Sequence, residues 1–279
     1  MANIFALHKK GALDQAENYR PISLTSVCFK MLEHIVYSCI CNYLDENNII
    51  TPKKHGFRTG YSCESQLILA LNDWAHTLDV GSRTDVAIFD FSKAFDKVSH
   101  NHLLAKLSHM GIMGQNLNWI SAFLTHCTQR VVLNGSKSIW APVESGVPQG
   151  TVLVPLLFSL YINDITESIT SDIRLFADDC ILYRCISSIG DCIALQHDID
   201  TLLAWSNTWK MHFNPSKCQV MSVTRQRKGL PFVYRLGEVV LPCVASFTYL
   251  GVVISSDLCW NLHTDMVKAK ATYIDVRRI

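Results

Sequence analysis

Apolar residues recur at helical spacing over residues 26–46 (SVCFKMLEHIVYSCICNYLDE) and 62–79 (SCESQLILALNDWAHTLD), predicting two helices. Asp85–Phe91 (DVAIFDF) then forms a short, β-rich apolar run, the pattern of a buried strand. Two helical patches follow near 100–110 and 115–126, each close to a glycine. Arg130–Leu133 and Ser136–Val143 flank Asn134-Gly135, a dipeptide that accepts the positive φ angles of a hairpin turn. After SGVPQG (145–150), dense hydrophobicity predicts a buried helix to about residue 168. Ile173–Ala177 and Cys180–Arg184 are apolar runs hinged on Asp178-Asp179. Leu195, Ile199, Leu202, Trp205 and Trp209 recur at spacings of 4, 3, 3 and 4, an amphipathic helix within 190–210. Phe213–Lys217 reads as a loop, Cys218–Thr224 as a strand, 232–254 as short strands and 262–278 as a basic helix. Helix–strand alternation mixed with antiparallel hairpins predicts an α+β fold.

Composition narrows the class. With 279 residues, 49% hydrophobic and 18% charged, the chain can bury a sizeable core, which excludes a disordered tail, a coiled coil or a fibre. Eleven cysteines, odd in number and without any CxxC, argue against a disulfide scaffold and a zinc ribbon. The opening MANIFALHKKG has too short an apolar run for a signal peptide. The most apolar stretch, Thr151–Ile162, contains Pro155 and falls short of the roughly 20 residues a bilayer span needs. A soluble protein of a reducing compartment, without a membrane partner, is expected. Net charge is +1, distributed as −1 over residues 1–100, −4 over 101–200 and +6 over 201–279. An acidic centre followed by a basic end suits a protein that binds cations centrally and a polyanion nearby, although ordinary fluctuation gives the same pattern.

Three acids stand out. Adjacent carboxylates such as Asp178 and Asp179, set between hydrophobic strands, raise one pKa or recruit a cation; taken alone, the pair is more simply a plain polar turn. Asp90 lies at the end of an apolar strand, a place that serves a metal ligand or a helix N-cap. Oxygen-only ligands favour Mg²⁺ or Mn²⁺ over zinc. Together the three would suffice for a two-ion site that clamps both oxygens of an in-line phosphoryl displacement. No P-loop or HExxH pattern points to a nucleotide hydrolase or a zinc protease instead.

FADD (176–179), FDFSKAFDKVSH (89–100), SGVPQGTVLVPLLFSLYINDI (145–165) and NYRPISLTSVCFKMLEHIV (18–36) resemble reverse transcriptases of non-LTR (LINE-type) retrotransposons. HGFRTGYSCESQL (55–67), NPSKC (214–218) and FTYLGVVIS (247–255) continue the resemblance in the family's order, over about residues 8–279. It implies a right-hand polymerase fold with fingers at 1–84, palm at 85–110, fingers and palm helices with a hairpin at 111–144, palm again at 145–245, and primer-grip strands with the start of an incomplete thumb at 246–279. Asp90, Asp178 and Asp179 match the catalytic aspartates, with Asp179 the more peripheral. The backbone carbonyl of Phe91 would assist them in holding two Mg²⁺ ions, or Mn²⁺. Phe95 matches the bulky gate beneath the sugar 2′ position, though its residue type alone suits core packing. Gln149 and Gly150 match the loop lining the nucleotide pocket, where glycine permits close backbone approach. Arg58 matches the arginine facing the triphosphate, and Lys217 the lysine assisting the pyrophosphate leaving group. Tyr249, Leu250 and Gly251 resemble the turn that grips the primer end. Arg20 falls in a motif associated with RNA contact, and His100 matches a position that is usually structural.

The resemblance implies an RNA template, a DNA primer and dNTPs as partners, retrotransposition as the process, and a nuclear, chromatin-associated setting. Two positions depart from the pattern: Val154 stands where the family commonly has Gly, and Thr151 replaces the usual Ser. The resemblance also implies a larger parent polyprotein, whose endonuclease and C-terminal regions are expected to be missing from this sequence. A catalytically weak or inactive relic that only binds nucleic acid is therefore one alternative, and a two-metal nuclease or other phosphotransferase using the same acids is another.

Overall fold

The structure, a computed structural model, describes residues 1–9, 11–133, 135–226 and 230–276. It opens on β1 (Ala2–His8) and β2 (Tyr19–Leu24), an antiparallel pair in register from Asn3–Leu24 to His8–Tyr19. The hydrophobic pattern predicts neither strand, because Phe5 and Leu7 of β1 face solvent and β2 contains Pro21. A proline is tolerated there because β2 lies at the sheet edge. The helix expected over 26–46 is α1 (Val27–Glu46), capped by the Ser26 hydroxyl accepting from Phe29 N. That over 62–79 is α2 (Cys63–Asp79), whose N-terminus is a reciprocal capping box between Ser62 and Ser65. The expected buried strand is β3 (Arg83–Asp90), beginning two residues earlier than its apolar run.

Next come α3 (His100–His109), α4 (Gly114–Leu124) and β4 (Thr128–Leu133). The return strand expected over 136–143 is broken into β5 (Ser136–Lys137) and β6 (Ala141–Pro142), both paired with β4. The break falls where the Ser138 hydroxyl, in place of a backbone carbonyl, accepts from Val131 N. Of the expected hairpin turn, Asn134 lies outside the described residues, and Gly135 takes φ +81°. Then α5 (Val154–Tyr161) ends well short of residue 168, giving way to a 3-10 turn at Asn163–Thr166. Asn163 explains this: its side chain accepts from Thr51 N and donates to Ile49 O, tying the chain to residues 49–51. The rest is β7 (Asp172–Phe176), β8 (Asp179–Ile186), α6 (Ile189–Thr208), β9 (Gln219–Val223), β10 (Arg235–Leu236), β11 (Val239–Val240), β12 (Ser246–Tyr249), β13 (Val252–Ser255) and α7 (Asn261–Val276). The loop expected at 213–217 precedes β9 as read. All eleven cysteines are free thiols. Among the described residues, no helix is long and apolar enough to cross a membrane.

The chain forms two compact units. The first comprises residues 1–52, 92–165 and 208–211. Its sheet runs β2-β1-β4-β5, with β6 also on β4, and β1 and β4 are parallel. Helix α5 is buried on every side, so it forms the middle of this unit. Lys106 is buried beside it: its ammonium donates to Tyr161 O at 2.7 Å and Asp164 at 2.6 Å, and stacks 3.6 Å from the Trp209 ring centroid. Charge pairing and cation–π contact offset the desolvation of that ammonium.

The second unit comprises 53–91, 166–207 and 212–279. Its antiparallel sheet runs β7-β8-β3-β9. One face buries Val86, Ile181, Tyr183, Met221 and Val223 against Ala70, Trp74 and Leu78 of α2 and against Phe247, Tyr249 and Ile254. At the far end of β3 lies Asp85, with no solvent exposure. It accepts from Arg83 through two nitrogens at 2.8 and 2.6 Å, from Ser222 Oγ at 2.7 Å and from the Tyr234 hydroxyl at 2.7 Å. Every lone pair direction thus has a donor. Asp85→Ala should leave a buried guanidinium unpaired and cost about 3–5 kcal/mol, measured by urea denaturation; a loss below about 1 kcal/mol, the scale of an exposed ion pair, would contradict that reading.

Candidate active site

The three acids meet because of strand register. Asp90 ends β3 and Asp179 begins β8, and the two are direct cross-strand partners in a ladder running back to Arg83–Ile186. Directly opposed residues put their Cβ atoms on one face about 4.5–5.5 Å apart, where like charges repel. Phe176 pairs with Asp179, so Ala177-Asp178 is a two-residue turn. Ala177 takes φ +52°, the left-handed region that costs a non-glycine residue roughly 1–2 kcal/mol. Asp178 is exposed at the tip. Partial desolvation, then the charges of Asp178 and Asp90, push the Asp179 carboxyl up to about 6, although the residue still presents surface to solvent.

Lys217 sits on this cluster. Its ammonium donates to both oxygens of Asp90, at 2.9 and 3.2 Å. The loop is set by Asn214, whose N–H donates to Asp90 O at 2.7 Å and whose side chain accepts from Ser216. Phe91, next after Asp90, forms an antiparallel bridge with Phe213, and their rings stack at 4.6 Å. Asp90 is therefore held by the β8 ladder, the Asn214 bond and an aromatic stack. Among the described residues, no three acidic, histidine or cysteine side chains already surround a common point for a metal ion. The donors nevertheless fit a hard divalent cation. They are oxygen-only, they repel one another, and a cationic group, the Lys217 ammonium, spans both oxygens of Asp90.

Elsewhere in this unit, the Arg58 guanidinium lies 4.7 Å over the Tyr61 ring. Leu250 (φ +48°) and Gly251 (φ +86°) make the two-residue turn between β12 and β13. Tyr249 is buried, and its hydroxyl accepts from Gln66 Nε2 at 2.9 Å. Burial, foremost, raises its pKa, with Asp179 contributing.

Phe95, Gln149 and Gly150 belong to the first unit. Phe95 is half-buried, its ring 4.5 Å from Phe158. Its carbonyl accepts from Val147 N, and Gln149 Nε2 donates to Asp96 at 2.9 Å. Ser23 N donates to Gln149 O at 2.7 Å. Gly150 takes φ +94°, and a Cβ there would come within 2.9 Å of Ile22. Buried His100 holds Gly146 O at 2.7 Å, a structural contact. Arg20 is exposed on β2, Thr151 is buried, and Val154 is buried as the first residue of α5. A groove of about 710 Å³ opens beside this loop, lined by Ser23, Phe29, Phe123, Val147 and Gln149 among others.

Sequence reading misses Glu33. This fully buried acid accepts from Val152 N at 2.7 Å and Leu153 N at 3.1 Å, capping the start of α5 just beyond Gln149-Gly150. Its signal is visible in retrospect: Glu33 is the one charge on the buried α1 stripe that continues through Val36, Ile40 and Leu44. Glu33→Ala should orphan two amides and destabilise the chain by about 1–3 kcal/mol in chemical denaturation, whereas a neutral result would remove its capping role.

Comparison with known proteins agrees with this architecture. The family described as Reverse transcriptase (RNA-dependent DNA polymerase) matches residues 7–254. The chain belongs to that family. Among curated relatives, the RNA-directed DNA polymerase from mobile element jockey of Drosophila melanogaster is 28% identical, covering 94% of this chain and 30% of its own length. The Pol polyprotein of retrotransposable element R2 from Popillia japonica is 25% identical over 87% of this chain and 36% of its own length. The chain thus spans about a third of the curated relatives it matches. Telomerase from Candida albicans shares the fold with TM-score 0.59 at 13% identity, over 92% of this chain and 45% of that one. Apo telomerase from Candida tropicalis matches with TM-score 0.59 at 12% identity, over 93% and 47%. The fold is that of the right-hand polymerases.

Proposed function

We propose that this chain is the polymerase module of a non-LTR retrotransposon protein, copying an RNA template into DNA by transfer of nucleotides from dNTPs to a DNA primer. The observation that carries the reading is the Asp90–Asp179 register with Asp178 on the adjoining turn. Three carboxylates are gathered there with a positive group against one of them. Asp90 and Asp178 would hold two Mg²⁺ ions, with Asp179 and the Phe91 carbonyl in support. When bound, the ions neutralise the triphosphate and stabilise charge on the attacking and leaving oxygens.

The other residues act by binding and proton supply. Arg58 offers a two-pronged donor for phosphate oxygens. Lys217, half-exposed and already turned toward Asp90, is placed to donate to the departing pyrophosphate. Gln149 and Gly150 support the incoming nucleotide, Phe95 excludes a ribose 2′-hydroxyl, and Tyr249–Gly251 steady the primer end. Such a module would work on target DNA in the nucleus.

Two outcomes test the reading. Asp178→Asn should lower Mg²⁺-dependent primer extension on an RNA template by about 10³-fold, equivalent to about 4 kcal/mol of transition-state stabilisation, with thermal melting unchanged. Full extension by the folded variant would remove the assignment. Phe95→Val should raise the ratio of ribonucleotide to deoxynucleotide insertion. A folded variant that polymerises with an unchanged ratio makes Phe95 a packing residue, while an equal fall in both insertions points to the same conclusion.

A further inference from the structure

The sheet of the second unit continues past its edge strand. Leu175 N donates to Lys53 O and His55 N donates to Leu175 O, both at 3.0 Å, so residues 53–55 run parallel to β7 through a bridge at Lys54–Leu175. The next residue, Gly56, reaches the catalytic turn. A Cβ at Gly56 would lie 2.3 Å from Ala177 N, 3.0 Å from Phe176 C and 3.2 Å from Phe176 Cα. All three are backbone atoms, so no flexible side chain can give way. Gly56 has no positive φ, which means that space rather than backbone freedom demands glycine.

Both ends of this loop are fixed. Before Gly56 lies the β7 pairing, and beyond it Phe57 takes φ +59°, with Arg58 following. His55 Nδ1 lies 3.1 Å from Ser65 Oγ of the α2 capping box, and the His55 ring meets Tyr61 edge-on at 4.5 Å. The segment bearing Arg58 is thereby strung between the helix start and the Phe176–Ala177 backbone. Ala177, already in the left-handed region, immediately precedes Asp178.

We propose that Gly56 is a positioning residue: its missing side chain lets the Arg58 loop seat directly on the Ala177-Asp178 turn, holding Asp178 in place beside Asp179 and Asp90. The consequence for turnover rests on the polymerase reading; the seat itself does not. An added methyl pushes the loop off β7 or the turn back toward solvent. A displacement of about 1 Å at reacting groups costs on the order of 10²-fold in rate.

The test compares the 279-residue wild-type chain with Gly56→Ala, with Gly190→Ala as a helical glycine control, and with the double variant Gly56→Ala/Ala177→Gly. Amide hydrogen exchange over 174–179 is read alongside template–primer affinity and single-nucleotide insertion at saturating dNTP. In Gly56→Ala, exchange at Leu175, whose N–H donates to Lys53 O, should quicken at least tenfold while β3 stays protected. Insertion should fall at least tenfold with template–primer Kd unchanged within about twofold. The double variant should recover part of both, because glycine at 177 lets the turn yield. Gly190→Ala should match wild type. Wild-type exchange in Gly56→Ala overturns the seat, even if the wild-type chain shows no insertion and the functional reading fails by itself. If Gly56→Ala loses protection throughout, the double variant decides: relieving the clash at 177 should restore protection of β3, and an equally global loss there overturns the proposal.

Discussion

Two carboxylates held face to face across a strand pair are the constraint on which the second unit turns. Opposed acids disfavour the pairing of Asp90 with Asp179, and the remaining ladder from Phe89–Cys180 to Arg83–Ile186 must hold it. That ladder runs through buried residues, Val86, Ala87 and Phe89 on one strand and Cys180, Ile181 and Leu182 on the other. Both faces of the pair are buried, so a register slip would exchange the side chains packed on each face and break their complementary packing, which fixes where the acids meet. The buried Asp85 network pins the opposite end of the same strand. Stability is thus spent at one end of β3 to hold charge in tension at the other.

The surroundings of the acids follow from this. Lys217 neutralises Asp90, and its loop hangs from the Asp90 carbonyl through Asn214. The turn bearing Asp178 contains an alanine in a strained conformation, and the Gly56 segment leans against it. In the first unit the same economy holds the Gln149-Gly150 loop: Ser23, Asp96, His100 and Glu33 each bind its backbone or side chains. Both candidate binding elements are irregular segments clamped by regular ones, which is how loops are made precise enough for chemistry.

Much of this was legible in the residues. Helices α1, α2 and α6 and strands β3, β7 and β8 follow from apolar spacing because each buries one continuous stripe or run. Strands β1 and β2 were not legible, since their outward residues are as apolar as their inward ones and Pro21 suggests a break. The early end of α5 depends on Asn163 reaching residues 49–51, a partner far away in sequence. For the site, the adjacent acids suggested a cation, but a simple polar turn was the plainer reading of the pair alone. Grouping them with Asp90 followed from three oxygen donors at strand ends and from the family resemblance, while the physical reason they meet is the strand register. Glu33 and Gly56 act through contacts with residues 119 and 121 positions away, which spacing cannot reveal.

As proposed, Asp90, Asp178 and Asp179 would share one cation-binding cluster at the end of β3 and β8. Titration of the wild-type chain with Mn²⁺, followed by electron paramagnetic resonance, addresses it without any need for turnover. Mn²⁺ should bind saturably, compete with Mg²⁺ and be lost from Asp90→Asn, with the amide protection of β3 and β8 retained. Equal Mn²⁺ binding by wild type and a folded Asp90→Asn variant would contradict it.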